Sequence, residues 1–236
     1  MKVVFIIPCF NAEKNLDKLV NSVFSQVDDL WSAIFIDDMS TDNTWAKLTD
    51  LKNKDPRIEI RKNYEKKYAL KNIVEVAREF EKEKNTIIAV IDGDDQLCNN
   101  DTVDLLKQCY ESGNDVVWTA HRWDINNLNI SREMPDNVNP YQWPWCTSHL
   151  RTFRSSLMSA VCDDNFKNYK NEWFKRGYDQ ALMLPLLKCT HRRKYIDKTC
   201  YLYNINSVSI SDRDWAEKEQ ISTINFVRSR GFVAKN

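Results

Sequence analysis

The chain has 236 residues, 42% hydrophobic, 29% charged and 11% aromatic, enough apolar surface for a sizeable core and a balance that excludes a disordered tail or linker. Its 34 lysines and arginines equal its 34 aspartates and glutamates, so no overall basic field draws it onto nucleic acid or anionic membrane, and a polyanionic partner must be bound locally. The apolar run Val3 to Pro8 is far shorter than the ~20 residues of a membrane span and no basic leader precedes it, which predicts a soluble, cytoplasmic protein with no integral membrane segment.

Lys2 to Ile7 is a β-branched run ending at Pro8, and Leu16, Leu19, Val20, Val23 and Phe24 recur at helical spacing within Glu13 to Val27. The pattern repeats as strand Ala33 to Ile36, helix Thr44 to Leu51, strand Arg57 to Arg61, helix Ala69 to Phe80, strand Thr86 to Ile91, helix Thr102 to Tyr110 and strand Asp115 to Thr119. Strands alternating with helices predict an α/β fold: βαβ units forming a Rossmann-like, mostly parallel twisted sheet with helices on both faces. After residue 120 the alternation fails. Residues 121 to 148, rich in Trp, Asn and Pro, read as a long packed loop. A helix over Gly177 to Leu187, short strands at Lys194 to Ile196 and Thr199 to Tyr203, and a closing helix over Trp215 to Val227 follow. No repeat or linker divides the chain, so residues 1–236 are expected to form a single domain. The seven cysteines are scattered with no C-x-x-C pair, which argues against a disulfide framework or a zinc ribbon and for reduced thiols.

In parallel sheets ligands bind beyond the carboxyl ends of the strands, which selects the turns Pro8 to Asn11, Asp37 to Asp42 and Asp92 to Asp95. The apolar strand Ile87 to Ile91 delivers Asp92, Asp94 and Asp95 around Gly93, in a chain with only four glycines. Like charges so close repel unless a cation sits among them, and a hard divalent ion such as Mn2+ or Mg2+ takes oxygen ligands and shares them with phosphates. The plainer reading, a solvated acidic turn, is disfavoured by the position at the end of a buried strand. In Asp37-Asp38-Met39-Ser40-Thr41-Asp42, Asp42 or Thr41 serves as N-cap of the next helix. The paired aspartates exceed what a cap needs, and a carboxylate there can accept the N–H of a nucleobase.

Ile6-Ile7-Pro8-Cys9-Phe10-Asn11, Ser22-Val23-Phe24-Ser25-Gln26, Ile36-Asp37-Asp38-Met39-Ser40-Thr41-Asp42-Asn43-Thr44 and Ile91-Asp92-Gly93-Asp94-Asp95, in that order, resemble the family 2 glycosyltransferases of the GT-A fold. The resemblance is strong over the first half and weak over the second. It implies inverting transfer from a nucleotide-diphosphate sugar, with residues 1–120 as the nucleotide-sugar-binding half and 121–236 as the acceptor-binding half. It further implies that Pro8, Phe10, Asn11 and Asp38 surround the base and ribose, that Asp92 and Gly93 lie at the donor, and that Asp94, with Asp92, holds the metal. The N-x-G-x-x-x-A-R-N segment of many members is replaced here by Asn63 to Asn72, with Lys71 standing in for the arginine at the diphosphate. The late Y-R-x-H stretch becomes Tyr203-Asn204-Ile205-Asn206, without its histidine.

Inversion needs a base opposite the leaving diphosphate. The family usually opens a helix in its second half with an E-D pair, and Gly177-Tyr178-Asp179 matches that place with Tyr178 replacing the glutamate, so Asp179 is the expected base. An acid favoured by the helix dipole is the plainer reading of the same residue. Trp143 to Arg154 concentrates aromatic and hydrogen-bonding side chains suited to sugars, and Trp145, His149 and Arg151 are the candidate acceptor contacts, although the tryptophans fit a core equally well. His121 and His191 read as structural or surface residues. The expected donor is a UDP-sugar and the acceptor a glycan, lipid-linked or other hydroxyl. A nucleotidyltransferase acting on a sugar phosphate is the first rival, but it calls for a Gly- and Arg/Lys-rich loop where Pro8-Cys9-Phe10-Asn11 stands. A catalytically inactive glycan-binding module is the second, and the retained Asp92, Asp94 and Asp179 argue against it.

Overall fold

The computed structural model describes residues 1–205 and 210–235. The first four strands are β1 (Lys2–Cys9), β2 (Trp31–Asp37), β3 (Ile58–Lys62) and β4 (Thr86–Val90), separated by α1 (Leu16–Phe24), α2 (Thr44–Lys52) and α3 (Tyr68–Glu79). A two-residue β5 (Gln96–Leu97), α4 (Thr102–Glu111), β6 (Val116–Trp123), β7 (Arg151–Arg154), α5 (Tyr178–Lys188), β8 (Arg193–Tyr203) and α6 (Ile210–Arg230) complete the order. They build one eight-stranded sheet in the order β3-β2-β1-β4-β7-β6-β8-β5.

Val3 to Ile7 of β1 are all fully buried, as a central parallel strand covered on both faces requires. Alternation along the strand sends Val4 and Ile6 to one core and Val3, Phe5 and Ile7 to the other. The first core is closed by α3, α5 and Val227 of α6; the second by Leu16 and Leu19 of α1, Leu48 of α2 and Leu106 of α4. The sheet is mostly parallel: β1 pairs with β2 and β4, β2 with β3, and β6 with β8.

The second half departs from its sequence reading. The long loop expected over 121–148 begins later, because β6 runs on to Trp123 along β8. The two strands expected near residues 194–203 are one, with register shifts at Ala120 of β6 absorbing the irregularity. The segment after Trp145 contains a strand that the sequence reading omitted: β7 lies antiparallel between β4 and β6 and joins the two halves of the sheet. Asn206 lies outside the described residues. Among the described residues no helix is long and apolar enough to cross a membrane.

Candidate active site

The exits of β1, β2 and β4 lie side by side. Those of β1 and β2 are stitched together by local hydrogen bonds. Asn11 donates its N–H to Ser40 Oγ at 3.0 Å and accepts the Thr41 N–H at 2.8 Å, and Thr44 Oγ1 accepts the Ala12 N–H. Asp42 Oδ1 accepts the N–H of Thr44, the first residue of α2, so it satisfies the helix start from one position outside Asn43, the N-cap. Asp38 accepts from Asn63 Nδ2 and the Lys67 N–H on one oxygen and from the Tyr68 N–H on the other, at 2.8–2.9 Å, with Lys66 Nζ 3.4 Å away. Burial pushes the Asp38 carboxyl up, but these donors outweigh it and hold the pKa below its ordinary value. Three accepted bonds and the Lys66 ammonium beside Oδ2 take up most of the carboxylate's acceptor capacity.

At the exit of β4 the chain must pass almost in contact with β1. A Cβ at Gly93 would fall 2.8 Å from Pro8 O and 3.0 Å from Cys9 Cα, so only glycine fits. Asp92 then faces side chains from the second half of the chain. Its Oδ2 pairs with Nη2 of Arg151 at 2.9 Å, and its Oδ1 accepts the hydroxyl of Tyr178. Asp95 accepts the hydroxyl of Tyr201 at 2.6 Å and the Asn204 N–H at 2.7 Å; burial, Asp94 and Asp92 raise its pKa. His149 is stacked between the Tyr201 and Tyr203 rings, with centroids 4.7 and 5.0 Å away, and burial holds its pKa well below the usual value. The imidazole is therefore neutral, and its buried Nδ1 lacks a hydrogen-bond partner.

A cavity of about 420 Å³ opens over these turns. Pro8, Phe10, Asp38, Asp92, Gly93 and Asp94 line it from the first half and His149, Arg151 and Asp179 from the second. Asp179 stands in the first turn of α5, behind Gly177 in a left-handed conformation. Burial raises its carboxyl above the ordinary range, against the opposing pull of Arg151. Three of the expected residues lie off the lining. Asn11 is spent on the Ser40–Thr41 turn, Trp145 packs against the first core, and Lys71 sits 3.8 and 3.9 Å from Glu65 and Glu75. Arg151 is on the cavity floor but only 1% exposed, its guanidinium held by Asp92 and Tyr178. Lys66, Tyr68, Lys175 and Arg176 line the cavity although no reading of the sequence selected them. The sequence does carry a signal for Lys66, which lies in the same Asn63 to Asn72 segment as Lys71, five residues before it.

The residues at the β4 exit fit a divalent cation. Ligand atoms of Asp92, Asp95 and His149 lie within 4.8 Å of one another, and two carboxylates with one neutral, unpartnered imidazole nitrogen are a donor set that Mn2+ accepts. Asp95 and His149 thus join Asp92 as candidate ligands, whereas Asp94, the other expected ligand, lines the cavity outside this trio.

Over 118 residues the chain is 30% identical to a dolichol-phosphate mannosyltransferase of Pyrococcus furiosus, a match covering 50% of this chain and 32% of that protein. The matched region thus spans about a third of that curated relative. The structure of S. aureus TarS residues 1–349 in complex with UDP superposes with a TM-score of 0.68 at 19% identity, covering 94% of this chain and 65% of that one. The mannosyltransferase PcManGT of Pyrobaculum calidifontis, in complex with GDP-Man and Mn2+, gives a TM-score of 0.66 at 13% identity, covering 99% of this chain and 66% of that one. At such identities these neighbours show the fold, which is GT-A. A family model described as Glycosyl transferase family 2 matches residues 4–178, well over half of the sequence, and the chain belongs to that family.

Proposed function

We propose that this glycosyltransferase moves a sugar from a UDP-sugar to an acceptor hydroxyl with inversion at the anomeric carbon, assisted by Mn2+ or Mg2+. The observation that carries the reading is that Asp179, at the start of α5, and the Asp92-Gly93-Asp94 turn line one cavity. Asp179 takes the acceptor proton as the acceptor oxygen bonds to the anomeric carbon, and the bond from that carbon to the diphosphate oxygen breaks with its electron pair leaving on the diphosphate. A carboxyl raised by burial is a stronger base than an exposed one, which suits it to this task. Asp94 and Asp92, with Asp95 and His149, would hold the cation, which when bound offsets charge on the leaving diphosphate.

Pro8, Phe10 and Asp38 form the nucleotide side, with Lys66 over the Phe10 ring taking the place proposed for Lys71 near the phosphates. Uracil and guanine both offer an N–H that the Asp38 carboxylate would accept in exchange for Lys66, and the solved neighbours bind UDP, UDP-GlcNAc and GDP-Man. The acceptor, a glycan or lipid-linked hydroxyl, approaches from the α5 side, where His149 lines the floor.

Nucleotide release from UDP-GlcNAc and GDP-mannose, with and without Mn2+, tests the reading. Metal-stimulated release from the UDP-sugar is expected. Release from neither sugar, together with no melting shift by UDP or GDP plus Mn2+, would refute it.

A further inference from the structure

Both oxygens of Asp92 are taken by side chains from the second half of the chain. Oδ2 is held by Arg151 Nη2 at 2.9 Å and Oδ1 by the Tyr178 hydroxyl. Arg151 and Tyr178 also hold each other, through an Nη2-to-hydroxyl bond of 3.0 Å and a guanidinium 4.9 Å from the ring centroid, so the three side chains close a triangle. The sheet aims it. In the β4–β7 register Arg151 lies opposite Val90, two residues before Asp92, so the guanidinium is delivered from a strand and not from a mobile loop. At 1% exposure it is almost wholly withdrawn from solvent.

Asp92 is also one of the carboxylates whose ligand atoms gather with those of Asp95 and His149. A guanidinium at hydrogen-bond distance is therefore a cation already bound to an acid that a divalent ion would use. Two cations sharing one carboxylate repel, and burial strengthens the repulsion. We infer that Arg151 is a positioning residue, the resident counter-ion of Asp92, which with Tyr178 competes against the divalent cation and keeps its binding weak until a nucleotide diphosphate adds oxygen ligands and negative charge. The inference rests on the proposed donor only for the identity of that second ligand.

The test is titration of the full chain with Mn2+ alone, following the free aqueous ion by electron paramagnetic resonance. Arg151→Met is expected to bind Mn2+ about tenfold more tightly than wild type, and Arg151→Lys, which keeps the charge, to stay near wild type. With saturating UDP the difference between wild type and Arg151→Met should narrow. A purely structural arginine predicts the opposite sign, because damage to the site weakens metal binding. Unchanged or weaker binding by a folded Arg151→Met, no Mn2+ binding by any variant, or wild-type binding equally tight with and without UDP would each overturn the inference. If circular dichroism shows that Arg151→Met does not fold, Tyr178→Phe decides the matter: about threefold tighter binding is expected, and unchanged or weaker binding overturns it. The two readings fail separately. A wild type that cleaves no nucleotide sugar defeats the transferase proposal, while the Mn2+ titration still judges the ion pair.

Discussion

The acidic turns after β2 and β4 look alike in sequence and are held in different ways. After β2, backbone N–H groups do most of the work: Ser40 donates to Asp37, Lys67 and Tyr68 donate to Asp38, and Thr44 and Glu13 donate to Asp42. After β4 the partners are mainly side chains from residues 151–203: Arg151 and Tyr178 on Asp92, and Tyr201 on Asp95. A backbone donor is fixed by the fold, whereas a side-chain donor can turn aside or exchange for a ligand. Composition alone does not separate architecture from chemistry here; the origin of the donors does.

Asp179→Asn is expected to break the second region hardest. Loss of a general base lowers turnover by about 10³-fold, while the melting shift given by UDP and Mn2+ stays near that of wild type. A variant keeping most of its nucleotide release would move the base elsewhere. The same carboxyl predicts the pH dependence. It acts as carboxylate, and burial raises its pKa, so turnover falls as pH drops through that raised value and the acid limb lies above the ordinary carboxylate range. The asparagine variant should lose that limb, and a limb unchanged by the substitution would exclude Asp179 as its source. Asp94→Asn follows, with metal-dependent UDP affinity falling about 100-fold in calorimetry and little change in Tm, because Asp94 lines the cavity. An unchanged affinity would remove Asp94 from the ligands.

Asp38→Ala tests the first region. It strips the acceptor from three hydrogen bonds, two of them from backbone N–H groups, and Tyr68 loses the partner that fixes it at a φ of 62°. A loss of about 2–3 kcal/mol in denaturant unfolding is expected, whatever nucleotide is present. If stability is unchanged and only the preference for UDP over CDP is lost, Asp38 belongs to recognition more than to architecture.

What the sequence disclosed follows from locality. From β1 to α4 each strand and helix except the two-residue β5, which is a strand only through its pairing with β8, is specified within its own span, and the Asp92 to Asp95 turn is contiguous, so both were legible. β7 was not. Its four residues include two arginines, and it is a strand because β4 and β6 flank it. Lys71 was selected by linear position, but α3 has already begun at Tyr68 and places Lys71 beside Glu75, one helical turn on. His149 lines the cavity because Tyr201 and Tyr203, two apart on β8 and so on one face, stack against its ring. No pattern around residue 149 reports a contact with residues so far along the chain.

The smallest effect is expected at Gly177, where backbone and side-chain control meet. Its φ of 62° and ψ of 23° place it in the left-handed region, immediately before Tyr178 and Asp179. An added Cβ would lie 3.1 Å from Gln220 O and 3.3 Å from Ile224 Cγ1, so α6 must yield by a few tenths of an ångström. Gly177→Ala should therefore cost about 1 kcal/mol, a fall of roughly 2–4 °C in Tm for a chain of this size. Gly177→Asn adopts the left-handed conformation more readily and should recover part of that loss, the contact with α6 remaining. Turnover is the sharper readout. If the bonds from Tyr178 to Asp92 and Arg151 fix the start of α5, the alanine variant keeps turnover within about threefold of wild type despite its lower Tm. If the backbone at Gly177 sets the position of Asp179, turnover falls toward that of Asp179→Asn, and side-chain control of the second acidic region would be wrong.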